Sequence, residues 1–294
     1  MITETEEATI ALPDEIIDAL RLVDENLSGL SASEFMEDGL FAPSVHLIRA
    51  KGKMLRPALV FMGSLYAGHS DIKNLVDIAV AVELLHTSSL IHDDIIDKDI
   101  KRRGVESTHV RYGNELALLA GDALISSAIQ RISGYGQRII SIMARTAMEM
   151  AAGEALDFRF QKSGTIPNVQ ECSRIADLKS ASLIGTSASI AASYKAQEHE
   201  KALREFGRNF GMAFQIRDDV HDFIDGAEGS ATVTRPNIVR SIMRSGVAEK
   251  EAVAKAVEMN NEHISRGLAA LDKDKRGIFE RYSGVAALGS EGIF

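Results

Sequence analysis

Tryptophan is absent from this 294-residue chain, cysteine occurs once, proline five times, and aromatic residues make up only 5%. The lone Cys172 excludes an intrachain disulfide and a cysteine-based metal centre. Such sparing use of cysteine fits a reducing compartment, so a cytoplasmic location is expected. With 45% hydrophobic residues, the chain is neither disordered, nor collagenous, nor stapled by disulfides. It lacks an uninterrupted run of about 18 apolar residues, so no membrane span is expected. Glu4, Glu6 and Glu7 stand where a signal peptide would carry basic residues. No Pro/Gly/Ser-rich linker, charge block or repeat divides the sequence, and a single domain over residues 1–294 is expected. Positive charge is also short: 33 Lys and Arg face 42 Asp and Glu, a net charge of −9 that argues against nucleic acid as a partner. An acidic chain repels anions, so any phosphate chemistry must overcome that repulsion.

Alternating strand patterns are missing as well, and the apolar period throughout is helical. Ile16, Leu20, Val23 and Leu27 recur at helix spacing after Pro13-Asp14-Glu15, a start that combines a first-turn proline with acids beside the dipole. Pro43 and Pro57 are expected to open two further helices. The strongest segment runs from Asp71, a candidate N-cap, to about Lys98. Others are predicted over 114–131, 137–160, 176–194, 198–224, 236–244, 247–271 and 275–288. The fold class expected is all-α, a single-domain bundle of long helices. The stretch ASLIGTSASIAA, residues 181–192, is small and weakly polar; it allows either close helix packing or room for a ligand.

Two acidic clusters stand out. Asp93, Asp94 and Asp97 lie in LIHDDIIDKD, and Asp218, Asp219 and Asp222 repeat the spacing in FQIRDDVHDF. The i, i+4 members share one helix face, where like charges cost a few tenths of a kcal/mol. A single such cluster reads equally well as a solvated face. Two with identical spacing imply a cation, and carboxylates without cysteine or a second histidine in register suit magnesium. His92-Asp93 also resembles the dyad of a metal phosphohydrolase, but His46, His69 and His86 supply no convincing further ligands. Basic residues stand near the first cluster: Lys101, Arg102 and Arg103 follow it, while Lys53 and Arg56 lie in KGKMLRP. Either group alone reads as surface; beside a metal-binding cluster they suit phosphate.

Taken in order, these motifs resemble the trans-isoprenyl diphosphate synthases, the polyprenyl synthetase family, from about residue 40 to residue 240. KGKMLRP is similar to its Gly-Gly-Lys-Arg-x-Arg-Pro, LLHTSSLIHDDIID with KRRGVEST to its first aspartate-rich motif, LLAGDALI to Ala-Gly-Asp-x-Leu, Lys179-Ser180 to Lys-Thr, and GMAFQIRDDVHD to its second aspartate-rich motif. The resemblance implies helices around a central cavity, usually in a homodimer, and a prenyltransferase that joins isopentenyl diphosphate head-to-tail to an allylic diphosphate. It implies magnesium held by Asp93, Asp97 and Asp218, with Asp94, Asp219 and Asp222 as closer or water-mediated helpers. Arg102, Lys179, Ser180 and Gln215 would meet the allylic substrate; Lys53, Arg56, His86 and Arg103 would form the isopentenyl diphosphate site. Removing the six aspartates would leave −9 + 6 = −3, so much of the acidity reads as a metal socket. A terpene cyclase would share helices and metal, but it steers cations with aromatic faces that this chain lacks.

The pattern breaks in three places. Lys51 replaces a glycine, Met54 replaces an arginine, and DFIDGAEGSATVTRPN contains Arg235 but none of the family's lysines. Each missing lysine removes a bond worth about 1.5–3 kcal/mol. That gap leaves open a synthase-like subunit that partners an active homologue. Along the first aspartate helix, Ser89 lies about 6 Å beyond Asp93, Leu85 about 12 Å and Val82 about 16 Å. Ser88 and Ser89 are small where short-chain members of the family place an aromatic floor. A product longer than fifteen carbons is expected, stopped at Leu85, Val82 or a neighbouring helix; the alternative is that the serines only permit close packing.

Overall fold

A computed structural model of the chain describes residues 12–36, 38–69, 71–226 and 235–288. Glu4, Glu6, Glu7 and residues 227–234 of the lysine-free loop lie outside the described residues. The described residues are overwhelmingly helical, and the all-α expectation holds. Contacts divide the chain into two compact units, one of Pro13–Ala147 with Ser187–Glu200, the other including Met148–Thr186 and Lys201–Phe294.

The first unit contains α1 (Asp14–Ser28), α2 (Asp38–Arg49), α3 (Leu55–Tyr66), α4 (Val76–Asp97), α5 (Thr108–Tyr112) and α6 (Asn114–Ile132). Its centre is α4, buried on every side from Ile78 to Leu85, as an almost wholly apolar helix must be. α6 packs most extensively on it, and Gly121 permits a close approach, since a Cβ there would overlap the His92 ring. Pro43 does not open a helix: it lies inside α2, whose start at Asp38 precedes it. Pro57 falls in the first turn of α3, where a missing N–H costs nothing. Asp71 makes no cap bond; a 3₁₀ turn over Ile72–Leu75 leads into α4 instead.

Between α4 and α5 the chain forms a small antiparallel hairpin, β1 (Lys101–Arg102) with β2 (Val105–Glu106). Its turn is Arg103-Gly104, with φ 52° and 77°. Two positive φ values match the twist of a two-residue hairpin, and a non-glycine accepts one only where its surroundings hold it there.

Two helices continue beyond the first unit's main segment: α7 (Gln137–Ser163) and, after α8 (Val169–Ala176) and a π-helical turn over Asp177–Ala181, α9 (Ser182–Lys195). α8 has no counterpart among the helices predicted from the apolar period. Asn168 caps it in a reciprocal box, accepting from Glu171 N at 2.9 Å while Glu171 accepts from Asn168 N at 2.8 Å.

The second unit is completed by α10 (Glu200–Asp225), α11 (Ile238–Met243), α12 (Glu249–Ala269) and α13 (Gly277–Tyr282). Phe206, Phe210, Phe279 and Tyr282 make its aromatic core, with the Phe206 and Phe279 centroids 4.6 Å apart. Asn260, fully buried on α12, donates to the carbonyls of Ala213 and Ala286 and accepts from Leu288 N. These three bonds tie the chain after α13 to α10. Cys172 packs beside Ile216, Val220 and Ile238, and burial pushes its thiol up to about 12, which leaves it unreactive.

By mean hydropathy two helical stretches reach the range of a membrane span, Ile72–Asp97 at 1.4 and Asn114–Tyr135 at 1.2, a result that a search for uninterrupted apolar runs does not register. Of the apolar window, 67% is buried inside the protein in the first and 33% in the second. Core burial accounts for the former. The latter leaves Leu116, Leu118, Leu119 and Ile129 of α6 on the surface.

Candidate active site

The last turns of α4 carry the first aspartate cluster, and its members do not act alike. Asp93 and Asp97, one turn apart, are half-buried on the same face. Asp94 points inward, fully buried, and its Oδ1 accepts from Arg102 Nε at 2.8 Å and lies 2.6 Å from Arg102 Nη2. The same guanidinium reaches Asp99 Oδ2 at 2.9 Å. Burial raises the Asp94 pKa, and Arg102 opposes that shift. Asp94 is therefore a brace that fixes the hairpin arginine near the half-buried aspartate pair.

A cation cluster lies in the same unit. The turn before α3 holds Lys51 and Met54 at φ 54° and 53°, left-handed positions where the related motif carries glycine and arginine. Arg56 Nη1 lies 3.1 Å from His86 Nε2. A guanidinium can only donate, so Nε2 is the acceptor and the ring proton sits on Nδ1. Burial first, and Arg56, Arg103 and Arg102 after it, hold the His86 pKa well below its ordinary value. Ring-labelled protein should show one histidine that stays neutral from about pH 8 to pH 5.5, across the normal imidazole range. Heteronuclear NMR of the protein and of His86→Gln checks this, and an ordinary titration at His86 would refute it. Arg103 joins the cluster through Glu83, while Lys53 lies exposed in the turn.

The second unit repeats the arrangement on α10. Asp218 and Asp222 share a face one turn apart, and Asp219 turns inward at 8% exposure. Asp219 Oδ1 accepts from Gln215 Nε2 at 2.9 Å, and Oδ2 accepts from Ile238 N at 2.8 Å. Gln215 in turn accepts from Ser180 Oγ at 2.9 Å. Asp219 is pushed up to about 7 chiefly by burial, and Asp222 is raised by burial and by Asp218. Arg217 donates to Asp218 at 2.8 Å. The π-helical turn places Lys179 between two carboxylates, Glu154 at 2.5 Å and Asp157 at 2.9 Å.

These motifs coincide with a known family. The polyprenyl synthetase family model matches residues 37–232. A geranylfarnesyl diphosphate synthase of Methanosarcina mazei is 32% identical over 238 residues, 80% of each chain. The chain belongs to the polyprenyl synthetase family. A short chain isoprenyl diphosphate synthase of Methanothermobacter thermautotrophicus is 32% identical to this synthetase over 91% of its length and 86% of the relative's. The solved geranylgeranyl pyrophosphate synthetase of Geoglobus acetivorans superimposes with a TM-score of 0.81 at 28% identity, covering 92% of this chain and 98% of that one. The synthetase is accordingly a prenyltransferase.

The residues of this synthetase named from sequence fall into two sets. Asp93 with Asp97, Arg56 with His86, Arg102 with Asp94, and Ser180 with Gln215 and Asp219 are each brought together. Val82, Leu85 and Ser88 are buried on α4, and Ser89 is half-buried with its hydroxyl on the His86 carbonyl at 2.8 Å. Glu83, Asp99, Glu154, Asp157 and Arg217 are the partners that sequence reasoning missed. Acids inside apolar runs, as in AVAVELLH and AAGEALDF, were the available signal. Among the described residues no group of three or more His, Cys, Asp or Glu forms a metal cluster within the chain. What each helix offers is a pair of hard oxygen donors, which suits magnesium, an ion that takes one or two carboxylates and completes its shell with water and substrate phosphates.

Proposed function

We propose that this synthetase condenses isopentenyl diphosphate head-to-tail with an allylic diphosphate, giving a linear polyprenyl diphosphate of twenty carbons or more. The observation that carries this reading is the matched construction of α4 and α10. On each helix an accessible aspartate pair is separated by a third aspartate that is buried and locked to its own scaffold. Asp93, Asp97, Asp218 and Asp222 would hold magnesium, whose charge when bound counters the negative charge that grows on the leaving allylic diphosphate.

The side chains supply the rest. Arg102, oriented by Asp94 and Asp99, meets the same diphosphate as a pre-set fork. In the second unit Lys179 and the Ser180–Gln215 pair would supply an ammonium and polar groups to the allylic diphosphate, with Asp219 holding Gln215 in place. Lys53, Arg56, His86 and Arg103 take the diphosphate of isopentenyl diphosphate. The homoallylic double bond then attacks the allylic cation, and the released diphosphate takes the proton. Asp94 and Asp219 serve as braces rather than direct metal ligands: Asp219 spends both oxygens on protein donors, and Asp94 is fully buried with Oδ1 held by Arg102.

The test is an assay of the purified chain with isopentenyl diphosphate, allylic primers and magnesium, with products read by mass spectrometry. Failure to extend any primer would refute the proposal. Length is tested by Ser88→Phe. Ser88 is buried on α4 between Leu85 and the aspartates, so an aromatic ring there is expected to shift the main product down by at least one five-carbon unit. An unchanged distribution would place the floor elsewhere. Exposed Leu116, Leu118, Leu119 and Ile129 on α6 support a homodimer, because several large apolar side chains exposed on one helix suit a protein partner better than water. Leu119→Glu should halve the mass measured by light scattering; an unaltered mass would rule out this face.

A further inference from the structure

The cation cluster of the first unit contains one carboxylate that the reaction does not use. Glu83 is 4% exposed in the middle of α4, flanked by Val82 and Leu84, both fully buried. An acid among aliphatic side chains is costly unless cations answer it. Arg103 Nη2 donates to Glu83 Oε1 at 3.0 Å, and Arg103 Nη1 donates to the Leu47 carbonyl at 2.9 Å. Burial raises the Glu83 pKa, while Arg103 and Arg56 pull it down. Two fixed acceptors on two nitrogens of a planar group define its orientation.

A third contact closes the arrangement. Gly52, in the turn before α3, packs directly on the ion pair: a Cβ there would stand 2.8 Å from Arg103 Nη2 and 3.3 Å from Glu83 Oε1. Arg103 itself is held at φ 52°, a backbone conformation that persists in a non-glycine only when its neighbours enforce it. An arginine at a hairpin turn would otherwise sample many rotamers, and ordering it on substrate binding would weaken affinity.

We infer that Glu83 is a positioning residue: with the Leu47 carbonyl and Gly52, it holds the Arg103 fork so that the N–H groups those acceptors leave over meet the diphosphate of isopentenyl diphosphate. The inference rests on the assignment of Arg103 to that diphosphate. Glu83 touches no substrate, and its effect passes through Arg103.

Four variants of the full chain separate the two statements: Arg103→Ala, Glu83→Gln, Glu83→Asp and Gly52→Ala, each assayed with either substrate varied in turn. Glu83→Gln is expected to raise KM for isopentenyl diphosphate by about tenfold to a hundredfold, the range of one charge-assisted bond, and to leave KM for the allylic substrate within about twofold. Glu83→Asp should recover part of the loss. Gly52→Ala should reproduce the selective defect with the acid retained, because the added Cβ presses closest on the guanidinium. If Arg103→Ala leaves KM for isopentenyl diphosphate unaltered, the assignment of Arg103 fails and the inference with it. If Arg103→Ala raises it while Glu83→Gln leaves it unchanged, only the role of Glu83 fails. A lowered KM in Glu83→Gln would show a carboxylate competing with substrate, and equal rises for both substrates would show general structural damage; either overturns the inference. Should Glu83→Gln not fold, Gly52→Ala decides by the same criterion.

Discussion

Replacing Asp97 with alanine is expected to lower kcat by about a hundredfold to a thousandfold, the loss typical of removing one charge-stabilising contact at a developing anion. The melting temperature should hold or rise slightly. Asp97 is half-buried on α4 and shares a face with Asp93, so the folded protein without metal carries an i, i+4 repulsion that the substitution relieves. Stability and activity therefore move in opposite directions, which a residue serving the fold alone would not show. Raising magnesium should restore part of kcat, because Asp93 remains to share a metal with substrate phosphates. Steady-state kinetics over a magnesium titration, with calorimetry on the same preparation, checks both halves. A kcat within about threefold of the parent would exclude Asp97 from the reaction centre.

Why Asp97 and Asp94 differ so sharply was partly legible from spacing. Asp94 lies a hundred degrees around the helix from Asp93, where it prolongs the buried row Leu84, Thr87 and Ile91. Asp219 likewise continues Met212 and Ile216. Apolar periodicity thus marks the middle aspartate of each cluster as the inward one, whereas the count of acids alone groups all three as ligands. The helices were legible for the same reason: a 3.6-residue apolar period needs no distant partner to be recognised. α8 was also within reach, since Asn168 and Glu171 stand at capping-box spacing.

What one sequence cannot reveal is pairing across long separations. Glu83 with Arg103, Arg208 with Glu149 and Asp177, and Lys179 with Glu154 and Asp157 join residues from different helices or from a helix and a hairpin. Nothing local in either partner announces the other. Lys179 shows the consequence: its motif suggests a lone cation for phosphate, and the structure adds two carboxylates that hold the ammonium. Pro43 misled for a local reason, because α2 accepts it after its first turn.

The Arg102–Asp94 pair provides the strongest test of the bracing role. Asp94 is fully buried while the Arg102 side chain is 31% exposed, and the two approach to 2.6 Å. Arg102→Ala removes the cation and leaves an ionised carboxylate in the interior, a change that costs 3–5 kcal/mol for a wholly buried pair and roughly 2–3 kcal/mol here, where solvent reaches the arginine. Folded Asp94 already has a raised pKa, and losing its cation should raise it further. The sign follows: a carboxyl whose folded pKa exceeds the unfolded value stabilises when protonated, and that contribution is lost as pH rises through the folded pKa. Arg102→Ala should therefore lose more stability at neutral pH than under mildly acidic conditions. Adding Asp94→Asn removes the stranded charge, so the double variant should recover most of the lost stability without recovering activity, since the fork for the allylic diphosphate is still missing. Denaturant melts of the two singles and the double, each with kcat/KM for the allylic substrate, complete the cycle. Additive stability losses would show that Asp94 does not depend on Arg102, and restored activity in the double variant would show that Arg102 meets no substrate.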